Sequence, residues 1–420
     1  MDNARQTKPT SLMKSKSIKK IFAGALFLLA FAGFSQEYKA FTREYRPGEY
    51  YRYQNNIKGD LTFISNSIVN RDGGTTTTEP EDPYNNLNTN GNYWPSSNRN
   101  TETGGYLNYN DYKNMQYIDV DSDTSTFSSS TSTFSFPDAD CNLIRYAGLY
   151  WSATYPRDDT ADPVGTPRDY EIDKIKFKVP GGTYVDITAD EILYDGLADT
   201  ALSANAPYAC YADVTSLITP LANPEGDYTI ANVPSAQGYG IFNGQSRMTG
   251  GAAGGWTLVI VYENPNLTGK LITTFDGFAR VTGTSNVDIN YSGFNTIPVG
   301  PVTANIGAAT LEGDFRITGD RLRIKAASRP NFTTLSNGTN PSNNFFNSNI
   351  TRNGVHANDR DPFSLNTLGF DSDIFNLNNP TNSVIPNSET AATFSFQTNG
   401  DQYYPFFNSF NIEIIEPDIV

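Results

Sequence analysis

Three aspartates at alternate positions, Asp119, Asp121 and Asp123, stand in the segment DVDSDTSTFSSS at residues 119–130. On a strand, that spacing would crowd three negative charges onto one face. In a loop, it lets three carboxylates wrap one hard cation, as in the first half of an EF-hand loop, and all-oxygen ligands suit calcium better than a transition metal. The rest of an EF-hand is missing. Thr124 stands where the sharp turn needs glycine, and Ser130 where the loop closes with glutamate. A calcium site here must borrow ligands, and FDSD (Asp371, Asp373) and NDRD (Asp359, Asp361) could lend them. The competing reading is an acidic turn whose carboxylates face water and cap loop N–H groups. Structural calcium is the one cofactor the sequence suggests.

Other chemistry finds little support. The single histidine, His356, lies in the polar segment NGVHAND, and no G-x-S-x-G element accompanies it, so histidine-dependent nucleophilic catalysis is not expected. The glycine-rich GGAAGG at 250–255 precedes an apolar strand-like run and carries no Lys-Ser/Thr, so it is read as a loop leading into a strand and not a phosphate cradle. A glycosidase-type carboxylate pair stays open, because pairing among many acids is invisible in sequence.

The N-terminus places the chain. MKSKSIKK from Met13 followed by IFAGALFLLAFAG at 21–33 has the charge and apolar length of a signal peptide, and Gly33 and Ser35 fit cleavage before Gln36. The apolar run is too short for a membrane span, and no cysteine follows it for lipid attachment. The chain holds 30 basic and 45 acidic residues; the first 35 positions hold six and one of these, which leaves 24 against 44, a net charge of −20. Such a surface repels nucleic acid and anionic membranes and draws cations. In an exported chain with two cysteines, Cys141 and Cys210, a disulfide between them is the default expectation.

The elements that would position these residues are strands. KIKFKV at 174–179 alternates apolar and lysine side chains, as a half-buried strand does, and Pro180-Gly181-Gly182 turns it into TYVDI. GWTLVIVYENP at 255–265 is continuously apolar, which predicts a central strand covered on both faces. KLITTFDGFARV, DFRITGDRLRIKA and FNSFNIEII add more, and the only helix-like piece after the signal is ADVTSLITPLA at 212–222. The class is all-β, a large β-sandwich or jelly-roll-like domain with long Asn/Thr/Gly-rich loops. The organisation expected is a signal peptide over 1–35 and an N-terminal strand region over 36–70. A low-complexity loop or linker over 71–112 follows, then a main body over 113–420, as one sandwich or as two divided near 283–300. A second Asn-rich stretch, 331–353, is expected as a long exposed loop.

Four phrases occur in order: YIDVDSDTSTFSSSTSTFSFP, CNLIRYAGLYWSATYP, GGWTLVIVYENPNLTGKLITTFDGFARV and NTLGFDSDIFNLNN. Together they resemble the N-terminal β-rich domain of very large Bacteroidetes surface adhesins. That group includes gliding-motility adhesins exported by the type IX system and often followed by tandem immunoglobulin-like repeats. The resemblance covers roughly 59–420. It implies a non-catalytic module at the exposed end of a cell-surface adhesin, located outside the cell. Its partners would be glycan, matrix or another cell surface, contacted through the loops at 71–105 and 331–362. It also implies that the chain continues into repeat domains in a longer gene product. The alternatives are a carbohydrate-active enzyme or lectin on a β-sandwich, and a structural surface protein that binds no ligand.

Overall fold

GDLTFISNSIV, the centre of the N-terminal strand region, supplies the second half of a 15-residue strand, Tyr53–Ser67, and its last residue opens the short strand Val69–Arg71. The second half of Tyr53–Ser67 pairs antiparallel with Gly254–Glu263, in register from Gly59 opposite Glu263 to Ser67 opposite Gly255. Its first half pairs with Gly269–Asp276, with Tyr53 opposite Thr274. The N-terminal strand therefore sits in the middle of an 11-stranded sheet and not beside the main body. The computed structural model describes residues 36–71, 109–138, 140–156, 168–199, 201–242, 245–246, 248–284 and 286–415. The signal segment and residues 72–108 of the low-complexity stretch lie outside these.

The protein is all-β, as its periodicity predicts, and the α-helix within 212–222 is one turn, Thr215–Ile218. Gly254–Glu263 is buried on both faces, which explains its unbroken apolar run. Its even-numbered residues Trp256, Leu258 and Ile260 enter one core, and the intervening Val259 and Val261 enter another.

That alternation builds four layers. One wing of the large sheet, with Leu143–Thr154, Pro207–Asp213 and Gly254–Glu263, packs against a five-stranded sheet that includes Ser129–Phe134, Gly226–Ala231 and Lys174–Lys178. The other wing, with Ala304–Leu311, Phe370–Asn376 and Tyr404–Glu413, packs against a four-stranded sheet of Asn286–Ser292, Ala391–Gln397, Arg321–Ala326 and Thr333–Thr334. The opposite faces of the two wings share a third core, in which Phe63 meets the Phe407 ring edge-on at 5.4 Å and Tyr150 lies 4.8 Å from the same ring. Residues 283–300 hold the first strand of the four-stranded sheet, and hydrogen bonding in the large sheet runs unbroken past them.

The Asn-rich stretch expected as an exposed loop stays largely exposed over 331–343, but 344–351 is folded into the second sandwich. Phe345, Phe346, Asn340 and Asn349 are fully buried. The cause is that the amide side chains replace missing sheet hydrogen bonds: Asn340 Nδ2 donates to Phe345 O at 2.9 Å and Asn344 Nδ2 to Phe315 O at 2.9 Å. Composition marks such a segment as polar but does not show that its polarity is satisfied internally.

Where the wings close on one another, Gly307 has no room for a side chain. A Cβ there would lie 2.1 Å from Phe63 Cζ and 2.5 Å from Ser409 Oγ. Gly307→Ala is expected to cost about 1–3 kcal/mol by overpacking, read as a lowered denaturant midpoint at unchanged slope.

Candidate functional site

The aspartate turn is held by bonds within its own segment and by Tyr184. Asp119 accepts from Ser129 Oγ at 2.9 Å. Asp121 Oδ1 accepts from Asp123 N at 2.7 Å and Thr126 Oγ1 at 3.0 Å, and Asp121 Oδ2 accepts from the Tyr184 phenol. Asp123 Oδ1 accepts from Ser125 N at 2.8 Å, and that bond draws its pKa below the usual range. Asp119 moves up instead, because burial disfavours its charge. The geometry is that of an acidic turn capping loop N–H and hydroxyl groups. Of the expected lenders, Arg360–Asp361 pairs with Thr131 and Ser132 in the five-stranded sheet, whereas Asp371 and Asp373 lie in the other sandwich. Beside the turn is a cavity of about 630 Å³, where half-exposed Tyr170 stacks on Phe127 at 4.0 Å.

The expected disulfide is absent. Cys141 is an exposed thiol and Cys210 a buried one. Cys210 lies opposite Trp151 in the pairing of Pro207–Asp213 with Leu143–Thr154, whereas Cys141 precedes Leu143. The eight steps from Leu143 to Trp151 span roughly 26 Å of strand, far beyond the Cα separation of about 4.4–6.8 Å that a disulfide allows. Cys210 Sγ instead donates to Ile172 O at 3.5 Å, a carbonyl it shares with Trp151 Nε1, and burial pushes its thiol pKa well up. A thiol reagent should therefore titrate one cysteine in the native protein and two in denaturant, without any reductant.

A second cavity, of about 490 Å³, opens where the two sandwiches meet, and the hairpin Ile350–Arg352 to Val355–His356 forms one wall. The paired strands Tyr53–Ser67 and Gly254–Glu263 bring Asp60 and Tyr262 to it, Asn305 comes from Ala304–Leu311 in the other wing, and Asp138 comes from the turn after Ser129–Phe134. The Tyr262 phenol donates to Asp138 Oδ2 at 2.6 Å. Burial, then Asp138 and Asp60, raise its pKa, so it remains a donor. Asp60 is held by an ion pair with Lys270 and by Asn411 Nδ2 at 2.9 Å. Arg352 is paired with Asp359, and Val355 projects at 65% exposure on the rim. This wall is the part of the expected contact loop 331–362 that reaches a cavity. Its amides, phenol and paired carboxylates offer both donors and acceptors to a hydroxyl-rich ligand.

The GGAAGG segment leads into Gly254–Glu263, as its context predicts, and its glycines serve close packing. Gly250 and Gly251 have φ of +81° and +75°. A Cβ at Gly250 would lie 2.5 Å from Glu312 Oε2, and one at Gly251 would lie 2.8 Å from the Asn110 carbonyl carbon. Neighbouring Asp111 is pushed up to about 6 by burial. The folded chain thus keeps that proton to about pH 6, while the unfolded chain releases it near 3.8. The contribution to stability is complete below pH 3.8 and lost as pH rises through 6. Asp111→Asn should flatten the fall in melting temperature across this window.

Sequence reasoning missed a group of buried acids. Asp320, Asp371 and Asp373 are fully buried, and Asp401 and Glu312 are 6% and 7% exposed. Asp371 and Asp373 share a face of Phe370–Asn376, while Asp320 and Asp401 come from loops at the same end of the second sandwich. Burial raises Asp371, and Asp373, Asp320 and Asp401 raise it further. Only FDSD was visible beforehand, because register brings the others to it. Among the described residues, no group of three or more His, Cys, Asp or Glu side chains is arranged to hold a metal ion.

No protein-family model matches the chain, and no curated protein matches it. Among solved structures, it is similar to the major capsid protein P2 from bacteriophage PM2 at 6% identity and a TM-score of 0.17, over 69% of this chain and 99% of that one. It is also similar to the T=1 Penaeus vannamei nodavirus at 10% identity and a TM-score of 0.15, over 85% and 98%. At those scores the likeness carries no functional argument. Among the described residues, no helix is long and apolar enough to cross a membrane.

Proposed function

We propose that the chain is an exported, non-catalytic surface adhesin module that contacts glycan or matrix through the cavity beneath the Val355–His356 hairpin. The observation that carries this reading is the chemistry of that cavity: amides, a phenol and paired carboxylates on rigid strands, walled by one hairpin. The acidic charge of the chain favours a neutral or cationic ligand over an anionic one. Export rests on the signal-like N-terminus, and the adhesin assignment on the ordered phrases that resemble such domains.

A second reading, a carbohydrate-active enzyme, draws on Asp60 and Asp138 flanking Tyr262 in one cavity. Both carboxylates are already engaged, Asp60 by Lys270 and Asn411 and Asp138 by Tyr262, which favours binding over proton transfer.

A glycan and matrix panel probed with the purified chain tests the proposal. Retention of at least one neutral glycan or matrix component, weakened about tenfold or more by Asn305→Ala or Tyr262→Phe, is the expected outcome. Turnover of a glycan, abolished by Asp60→Asn, would replace adhesion with catalysis. No retention on the panel would leave the structural, ligand-free role.

A further inference from the structure

The buried acids at the end of the second sandwich are unusual in how their oxygens are used. Asp371 Oδ1 accepts from Asn349 N at 3.0 Å, and Asp320 Oδ2 accepts from Phe346 N at 2.6 Å. Both donors come from one short segment, 346–349. The second oxygen of each carboxylate, Asp371 Oδ2 and Asp320 Oδ1, is buried with no hydrogen-bond partner. A third oxygen of a different kind is in the same condition. Asn344 is 8% exposed, its Nδ2 is committed to Phe315 O, and its Oδ1 has no partner.

The backbone ties these groups into one knot. Gly319 N donates to Asn343 O at 2.7 Å, and Asp314 N donates to Asp401 Oδ2 at 3.1 Å. A Cβ at Gly313 would lie 2.4 Å from Phe346 O and 2.5 Å from Asp371 Oδ2, so a carbonyl and a carboxylate oxygen close on the same point of the chain. Buried carboxylates are normally paired with a cation or hydrogen-bonded at both oxygens, because an unpaired buried charge is very costly. Here the nearby charges that act on Asp371 are other acids: Asp373, Asp320 and Asp401.

We propose that Asp320 and Asp371 hold a calcium-type divalent cation at this end of the second sandwich, with the Asn344 amide and the Phe346 carbonyl as neutral oxygen ligands. Carboxylate, amide and carbonyl oxygens in a mixed shell suit calcium, which takes 6–8 oxygens in a flexible geometry. Each carboxylate keeps one oxygen on a backbone N–H, which fixes the direction of the other, as outer-shell bonds do in metal sites. The site is separate from the Asp119–Asp123 turn, whose carboxylates each accept a bond from the turn, Ser129 or Tyr184. It does not depend on the adhesin reading.

The test is calorimetric titration of the purified chain with CaCl₂, alongside melting curves in calcium and in chelator. Uptake of about one ion per chain is expected, with a melting-temperature rise of roughly 4 °C at a hundredfold excess over Kd. The rise should vanish in Asp320→Asn and in Asp371→Asn and persist in Asp121→Asn. No heat and no shift in the parent chain would overturn the site, since the acids would then be held protonated. A shift lost in Asp121→Asn but kept in Asp371→Asn would overturn it equally.

Should the aspartate variants not fold, terbium luminescence reads the site directly. Tyr403 is fully buried, 4.8 Å from the Phe346 ring, and its phenol is raised by burial and then by Asp320 and Asp401. Terbium emission sensitised by tyrosine should fall severalfold in Tyr403→Phe. Unchanged emission would mean that the ion binds elsewhere.

Discussion

The rest of the architecture depends on the strand Tyr53–Ser67 being shared between two wings of one sheet. A 15-residue strand is long enough for its two halves to take different partners, Gly269–Asp276 at one end and Gly254–Glu263 at the other. This lets the sheet change direction without exposing an unpaired edge. The wings then turn their inner faces to one another and their outer faces to separate covering sheets. The start of the strand is fixed by charge as well as pairing. Arg52 Nε donates to Asp276 Oδ2 at 2.6 Å, and Arg43 reaches Asp276 Oδ1 at 2.8 Å. Glu191 adds a second carboxylate: burial alone would raise its pKa, but Lys39, Arg52 and Arg43 hold it at about 2. Asp276 is fully buried and is met by two guanidiniums and the phenol of Tyr150, so its desolvation is offset by a full set of charge-assisted bonds.

Against that paired carboxylate, the acids of the second sandwich stand out. Asp276 and Asp371 are equally buried, yet one is surrounded by arginines and the other by aspartates. Both states can exist in a folded protein only if the second set is neutralised by a proton or by a cation. A net charge of −20 on the segment after residue 35 raises the local cation concentration around the whole molecule. The same charge pattern shapes the cavity between the sandwiches, where carboxylates are engaged by Lys270, Asn411 and Tyr262 and serve as oriented acceptors.

Local residue patterns set the secondary structure and much of the burial. Period-two patterns in 174–179, the unbroken apolar run at 255–265 and the turn at Pro180-Gly181-Gly182 are local signals, because side chains two apart share a strand face wherever the strand goes. The glycine run at 250–255 was legible for the same reason: its context is a strand, and its positive φ values follow from packing against Asn110 and Glu312. Tertiary structure alone decided the features that depend on which strands pair and in what register. It placed Cys210 beside Trp151, roughly 26 Å of strand from Leu143, and so removed the disulfide that counting cysteines suggests. It buried part of an Asn-rich segment whose composition reads as loop, because amide side chains can satisfy backbone groups that no ladder reaches. It gathered Asp320, Asp371 and Asp401 from positions up to 81 residues apart. Charge repulsion gives no local pattern by which such a meeting could be read in advance.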